Sequence, residues 1–179
     1  MSIDLLSAAE AAEHTPPRIE PANTVTFTVP GPPQGKGRAR SAARIIPGKG
    51  GAPMAITRHY TPAKTAAYEN LVRLAAQEAM SGRAPFLGPI RVEIVATCPI
   101  PTSWSGVRQR RAADGSIAPT TKPDPDNIEK AICDGLTGVA YRDDVQIVEA
   151  VKRKRYGSVP GVTVRVVELA LERAQGKAV

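Results

Sequence analysis

Val25-Thr26-Phe27-Thr28-Val29 alternates apolar and polar residues, the period of a strand with one buried face. Pro30-Gly31-Pro32-Pro33 ends it sharply. The same alternation returns in Ile90-Arg91-Val92-Glu93-Ile94-Val95-Ala96, set between Pro89 and Pro99. Residues Gln146 to Tyr156 and Val162 to Leu171 also read as extended. Only Gly157-Ser158-Val159-Pro160-Gly161 separates them, which predicts a hairpin. Helical spacing appears twice. Thr61-Pro62 opens the first helix, with Thr61 as the expected N-cap. Its apolar positions are Ala66, Ala67, Leu71, Leu74, Ala75 and Ala79, and Ser81-Gly82 closes it. The second starts with Asp126 or Asn127 as cap, carries the stripe Ile128, Ala131, Ile132 and Leu136, and ends at Thr137-Gly138.

Two main helices among several strands predict an α+β fold in one domain. Its expected limits are residues 23–173, between a tail over 1–22 rich in proline and a frayed end over 174–179. A chain of 179 residues is long enough to bury a real core.

Charge adds a second layer. Lys and Arg number 24 against 17 Asp and Glu, a formal charge of +7, which favours a polyanionic partner. The excess is concentrated. Pro33 to Tyr60 contains Lys36, Arg38, Arg40, Arg44, Lys49 and Arg58 and no acidic residue. This stretch reads either as a solvated irregular loop or as an arm whose Arg and Lys displace counterions from a phosphate backbone. A second irregular basic segment over 102–121 holds Arg108, Arg110, Arg111 and Trp104, the latter placed to stack on a base or to anchor the loop on the core.

Two cysteines, Cys98 and Cys133, make neither a disulfide scaffold nor a four-ligand zinc site, and Cys133 reads as core. No signal peptide or apolar run long enough for a membrane helix is evident, so a cytoplasmic protein without a membrane partner is expected.

The chemistry concentrates in Lys122-Pro123-Asp124-Pro125-Asp126-Asn127-Ile128-Glu129-Lys130 and in Tyr141-Arg142-Asp143-Asp144. Asp126, Lys130 and Asp134 are spaced i, i+4 and i+8, on one exposed helix face. Asp124 and Asp126, met by a carboxylate from Asp143-Asp144, would form a negative pocket in a basic protein. Such a set suits magnesium, a hard cation held by carboxylate oxygens, with Lys130 steadying charge that develops on phosphate. A plainer reading exists for each part. Asp-x-Asp before a helix serves as cap and dipole partner, Asp143-Asp144 as a turn, and Glu129 and Asp134 as solvated partners of Lys130.

In order, these residues resemble the RusA family of Holliday junction resolvases, common in phages and prophages. The resemblance runs from Phe27-Thr28-Val29-Pro30-Gly31-Pro32-Pro33 and Lys36-Gly37-Arg38 through Tyr60-Thr61-Pro62. It is most specific in Lys122-Pro123-Asp124-Pro125-Asp126-Asn127, Lys130, Asp134-Gly135-Leu136 and Asp143-Asp144-Val145-Gln146. It implies a mixed α/β fold with a small mixed sheet in a homodimer. It also implies an endonuclease, dependent on Mg2+ with Mn2+ as substitute, that makes paired cuts in four-way DNA during recombination and repair. By position, Asp124 and Asp126 match the first two metal-binding aspartates and Lys130 matches the catalytic lysine; the third aspartate falls in the Asp143-Asp144 pair, with Asp144 favoured and Asp143 as a supporting group. Lys36, Arg38, Arg40, Arg44, Lys122, Arg108, Arg110 and Arg111 are the expected DNA contacts. The resemblance places the chain in a bacterial cytoplasm or a phage-infected cell. Two other functions stay open: a module that grips branched DNA without cutting, and a nuclease for flaps. The chain departs from the family pattern before Thr24 and between Arg40 and Tyr60.

Overall fold

A computed structural model describes residues 21–47 and 53–170. Four strands form the main sheet: β1 (Pro21–Pro30), β4 (Ile90–Pro99), β5 (Ile147–Gly157) and β6 (Gly161–Leu169). Their spatial order is β1-β6-β4-β5, antiparallel except for the parallel β4–β5 pair. Helices α1 (Ala63–Met80) and α3 (Pro125–Leu136) pack on one face, and a shorter α2 (Gly106–Ala113) lies against β5. The core between sheet and helices includes Val29, Val72, Val92, Ile128, Ile132 and Tyr141, all buried. The mixed α+β class is as expected, with one more helix.

Several expectations are corrected. The supposed β5–β6 hairpin does not pair with itself, because β4 runs between the two strands. Alternation along β4 buries Ile90, Val92, Ile94, Ala96 and Cys98 on the core face, and pairing with β5 on one side and β6 on the other makes it a central strand. The short link from Gly157 to Gly161 passes over the end of β4. A Cβ on Gly157 would lie 2.5 Å from Thr97 Cγ2, so glycine permits the crossing.

The buried stripe of α1 is also different. It is Thr65, Tyr68, Val72, Ala76 and Met80, while Leu71 and Leu74 are exposed. Pro62 rather than Thr61 is the N-cap of α1, without a side-chain cap bond. Where α1 meets α3, a Cβ on Gly135 would lie 2.8 Å from Val72 Cβ and 2.9 Å from the Glu69 carbonyl oxygen, so the helices touch backbone to side chain there.

The segment expected as an irregular basic arm contains a second, two-stranded sheet, β2 (Arg40–Pro47) with β3 (Pro53–Tyr60). The other irregular segment contains α2. The N-terminal tail up to residue 20, Lys49 and the frayed end lie outside the described residues, and Pro21 already opens β1.

Candidate active site

Helix α3 begins at a proline-framed corner. Asp124 is its N-cap, in place of the expected Asp126 or Asn127, and Pro125 takes the first turn, where a missing N–H costs nothing. Asp124 Oδ1 accepts a 2.8 Å hydrogen bond from Asn127 Nδ2, which holds the Asp124 carboxyl below the usual range. Ile128, Ala131, Ile132 and Leu136 are buried, as their spacing predicts. The opposite face of the helix is therefore turned outward, and it carries Asp126, Lys130 and Asp134.

That face meets the start of β5 and the 3-10 turn Asp144–Gln146. Together they line a groove of about 560 Å³ that contains Asp126, Glu129, Lys130, Asp134, Asp144 and Lys152. The two neighbouring aspartates at 143 and 144 have separate roles. Asp143 caps the turn, its side chain accepting from the Val145 amide at 3.1 Å. Gln146 Oε1 accepts from the amides of Arg142 at 2.8 Å and Asp143 at 3.1 Å, and Gln146 Nε2 donates to the carbonyls of Phe86 and Gly88. This clamp fixes the corner and leaves the Asp144 side chain in the groove.

Asp124 is not in that groove. It lines an adjoining cavity with Lys36, Arg38, Lys122, Pro123 and Asn127. The structure thus brings Asp126, Lys130 and Asp144 together and sets Asp124 beside them, around the helix start. Among the described residues no group of three or more His, Cys, Asp or Glu side chains forms a ready metal cage. The oxygen donors themselves suit a hard cation: Asp126, Glu129, Asp134, Asp144 and Glu149 all line the groove, beside the single thiol of Cys133.

A residue that sequence reasoning missed sits in the middle. Lys152 Nζ lies 2.7 Å from Asp126 Oδ1 and also pairs with Glu129. These two donated bonds push the Lys152 pKa up. Its placement follows from register. Lys152 and Lys154 pair with Ile94 and Ala96 of β4, on the inward side of the sheet, but β5 is the edge strand and its inward face meets the open end of α3. Lys154 Nζ donates to the carbonyls of Thr121 at 2.5 Å and Pro123 at 2.8 Å, tying down the chain that delivers Asp124. The extended reading of residues 146–156 places Lys152 and Lys154 on a strand, but not what that strand faces.

Other expected pairings change. Glu129 and Asp134 do not pair with Lys130: Glu129 binds Lys152 and Asp134 binds Lys36. Lys36 also bonds Glu69 at 2.6 Å, and its amide donates to the Asn127 carbonyl at 2.8 Å. Burial works against its charge, yet the bonds to Asp134 and Glu69 outweigh this and raise its pKa. Lys36 thus joins α1, α3 and the strand end, a structural placement for an expected DNA contact. Lys130 makes no ion pair among the described residues and its ammonium is open to the groove.

The expected DNA-facing residues are otherwise exposed. Arg38 and Arg40 line a further cavity of about 450 Å³ with Lys64 and Thr65, and Lys122 lies beside Asp124. Arg44 projects from β2, and Arg110 and Arg111 end α2. Trp104 proves to be an anchor, edge-on to Tyr156 with ring centroids 5.4 Å apart, and the Arg108 guanidinium lies 3.8 Å over the Trp104 ring.

A family described as "Endodeoxyribonuclease RusA" matches residues 30–167. The chain is also 32% identical over 148 residues to a Bacillus subtilis (strain 168) protein named "Uncharacterized protein YqaN", covering 82% of this chain and 97% of that one.

Proposed function

The chain belongs to the RusA endodeoxyribonuclease family, and from that premise we propose that it resolves four-way DNA junctions by paired, magnesium-dependent phosphodiester hydrolysis in recombination and repair. The observation that carries the reading is the shared groove of Asp126, Asp144 and Lys130 in a chain of net charge +7. Carboxylates gathered in one cleft repel one another unless a cation is shared, whereas a pure DNA-gripping module gains nothing from them.

Asp126 and Asp144 would hold the magnesium ion, with Asp124 from the helix N-cap as the third proposed ligand. A bound cation supplies Lewis acidity at the scissile phosphate and lowers the pKa of a coordinated water. Lys130, which makes no ion pair among the described residues, would face negative charge that builds on the phosphate oxygens. Asp143 and Gln146 orient the Asp144 corner through the turn they cap. Lys152 sets the Asp126 carboxylate and, before any cation enters, neutralises part of its charge. Arg38, Arg40, Arg44, Lys122, Arg110 and Arg111 would meet backbone phosphates and give affinity that falls steeply with salt.

Two cuts related by symmetry call for two copies of the site, which a homodimer supplies. The exposed Leu71 and Leu74 of α1 and the free edge of β5 leave apolar and hydrogen-bonding surface for a second copy. Among the described residues no helix is long and apolar enough to cross a membrane, and we place the enzyme with its DNA in the cytoplasm.

The test is cleavage of end-labelled four-way junction, flap and linear duplex, with magnesium and with EDTA. The expected result is paired nicks in the junction only, and only with metal. Cutting of flaps in preference to junctions, or none of any substrate, would overturn the junction reading.

A further inference from the structure

The β2–β3 hairpin stands away from the active-site groove, and the extensive packing of each strand is with the other. Its register sorts the side chains. Arg40 pairs with Tyr60, Ala42 with Arg58, Arg44 with Ile56 and Ile46 with Met54, so these eight share one face. Ser41, His59, Ala43, Thr57, Ile45 and Ala55 take the other face, where Ser41 Oγ bonds His59 Nδ1 at 2.8 Å.

The first face is unusual for solvent. Three arginines are interleaved with Tyr60 at 48% exposure, Met54 at 50% and Ile56 at 43%, and Ile45 on the reverse side is 73% exposed. Apolar side chains concentrate toward the far end and arginines toward the body. A two-stranded hairpin is marginal alone in water, and exposed apolar groups of this size on one are expected to be covered by a partner. Charge says which kind. The stretch Pro33–Tyr60 has no acid to attract a basic protein surface and its arginines suit phosphate.

We infer that this hairpin enters the crossover of branched DNA, where Arg40, Arg44 and Arg58 hold phosphates while Met54, Ile56 and Tyr60 lie against bases unstacked at the branch point. Apolar side chains wedged at base steps are an established way to hold DNA open, and a branch point already lacks part of its stacking. The inference rests on branched DNA being the substrate, as proposed above. It adds a device that selects the branch itself, apart from the groove that cuts.

The experiment uses the full chain in EDTA, so that no cutting occurs, and a four-way junction carrying 2-aminopurine at the crossover. Fluorescence reports unstacking, and its salt-dependent titration reports affinity. With the parent protein the signal rises on binding. For Met54→Ser combined with Ile56→Ser, the rise is expected to fall by about fivefold while affinity at low salt stays within about threefold. For Arg44→Gln combined with Arg58→Gln, the slope of log affinity against log salt is expected to flatten by about 2. Matching melting temperatures establish that the body remains folded, as the hairpin packs little against it. An undiminished rise in the serine variant overturns the inference alone. So does a change of sedimentation mass in that variant, which would make the face a contact between two copies. A parent protein that binds no junction overturns the substrate reading, and the inference with it.

Discussion

Lys152 Nζ sits 2.7 Å from Asp126 Oδ1 and at the same time bonds Glu129, so an ammonium from the edge strand bridges two carboxylates of the first turns of α3. A single positive charge there does part of what a divalent ion would do, while β5 holds the carboxylates in place. Lys152→Met removes that charge and leaves the two acids facing each other. In EDTA the variant should melt lower than the parent. Added magnesium should raise its melting temperature by more than it raises the parent's. A thermal melt with and without metal checks this, and equal magnesium gains in both proteins would remove Lys152 from the site.

Asp143 and Asp144 are adjacent but predicted to fail differently. Asn at 143 can still accept from the Val145 amide, so Asp143→Asn should keep cutting within about threefold. Asp144→Asn loses a proposed ligand and should slow cutting by about a hundredfold or more. Single-turnover cleavage of a labelled junction separates the two. Equal loss in both variants would argue against the division of roles.

Gly135→Ala places a methyl 2.8 Å from Val72 Cβ and 2.9 Å from the Glu69 carbonyl, backbone that cannot yield cheaply. The expected cost is about 1–3 kcal/mol, read by urea denaturation. Because Glu69 and Asp134 both bind Lys36, the same variant should also weaken the tie between strand end and helices.

Cys133 is buried beside the groove, and burial pushes its thiol up to about 11. Folding therefore favours the neutral thiol: this contribution is complete below the unfolded thiol's pKa and is lost as pH rises through the folded value. Alkylation by iodoacetamide should be slow in the native protein at pH 8 and comparable to a free thiol only after unfolding. Fast labelling at pH 8, followed by mass spectrometry at the two cysteines, would show that the α3–β5 junction is open.

Helix α3 was readable from sequence because its two faces differ in chemistry: Ile128, Ala131, Ile132 and Leu136 have one environment, Asp126, Lys130 and Asp134 another. Helix α1 differs because its core face runs through Tyr68, Val72, Ala76 and Met80, one register away from the apolar positions Leu71, Ala75 and Ala79. Its close approach to Gly135 excludes large side chains from the contact, so Val72 and Ala76 are inside and Leu71 and Leu74 outside. The β5–β6 pair misled for another reason. Local turn chemistry can bring two strands back in opposite directions, but whether a third strand lies between them is decided by long-range burial of β4. Lys152 was hidden by the same cause, since its role depends on β5 being an edge beneath α3. The separate cavity of Asp124 could not be read from spacing, because Asn127 turns that carboxylate toward the Lys36 loop rather than toward Asp126.

The most direct test of the account is junction cleavage by Asp126→Asn beside the parent, at saturating magnesium and with binding measured on the same junction in EDTA. Cutting is expected to fall by about a hundredfold or more while binding is unchanged or tighter, since a negative charge near the phosphates is gone. Cutting at the parent rate by Asp126→Asn would contradict it.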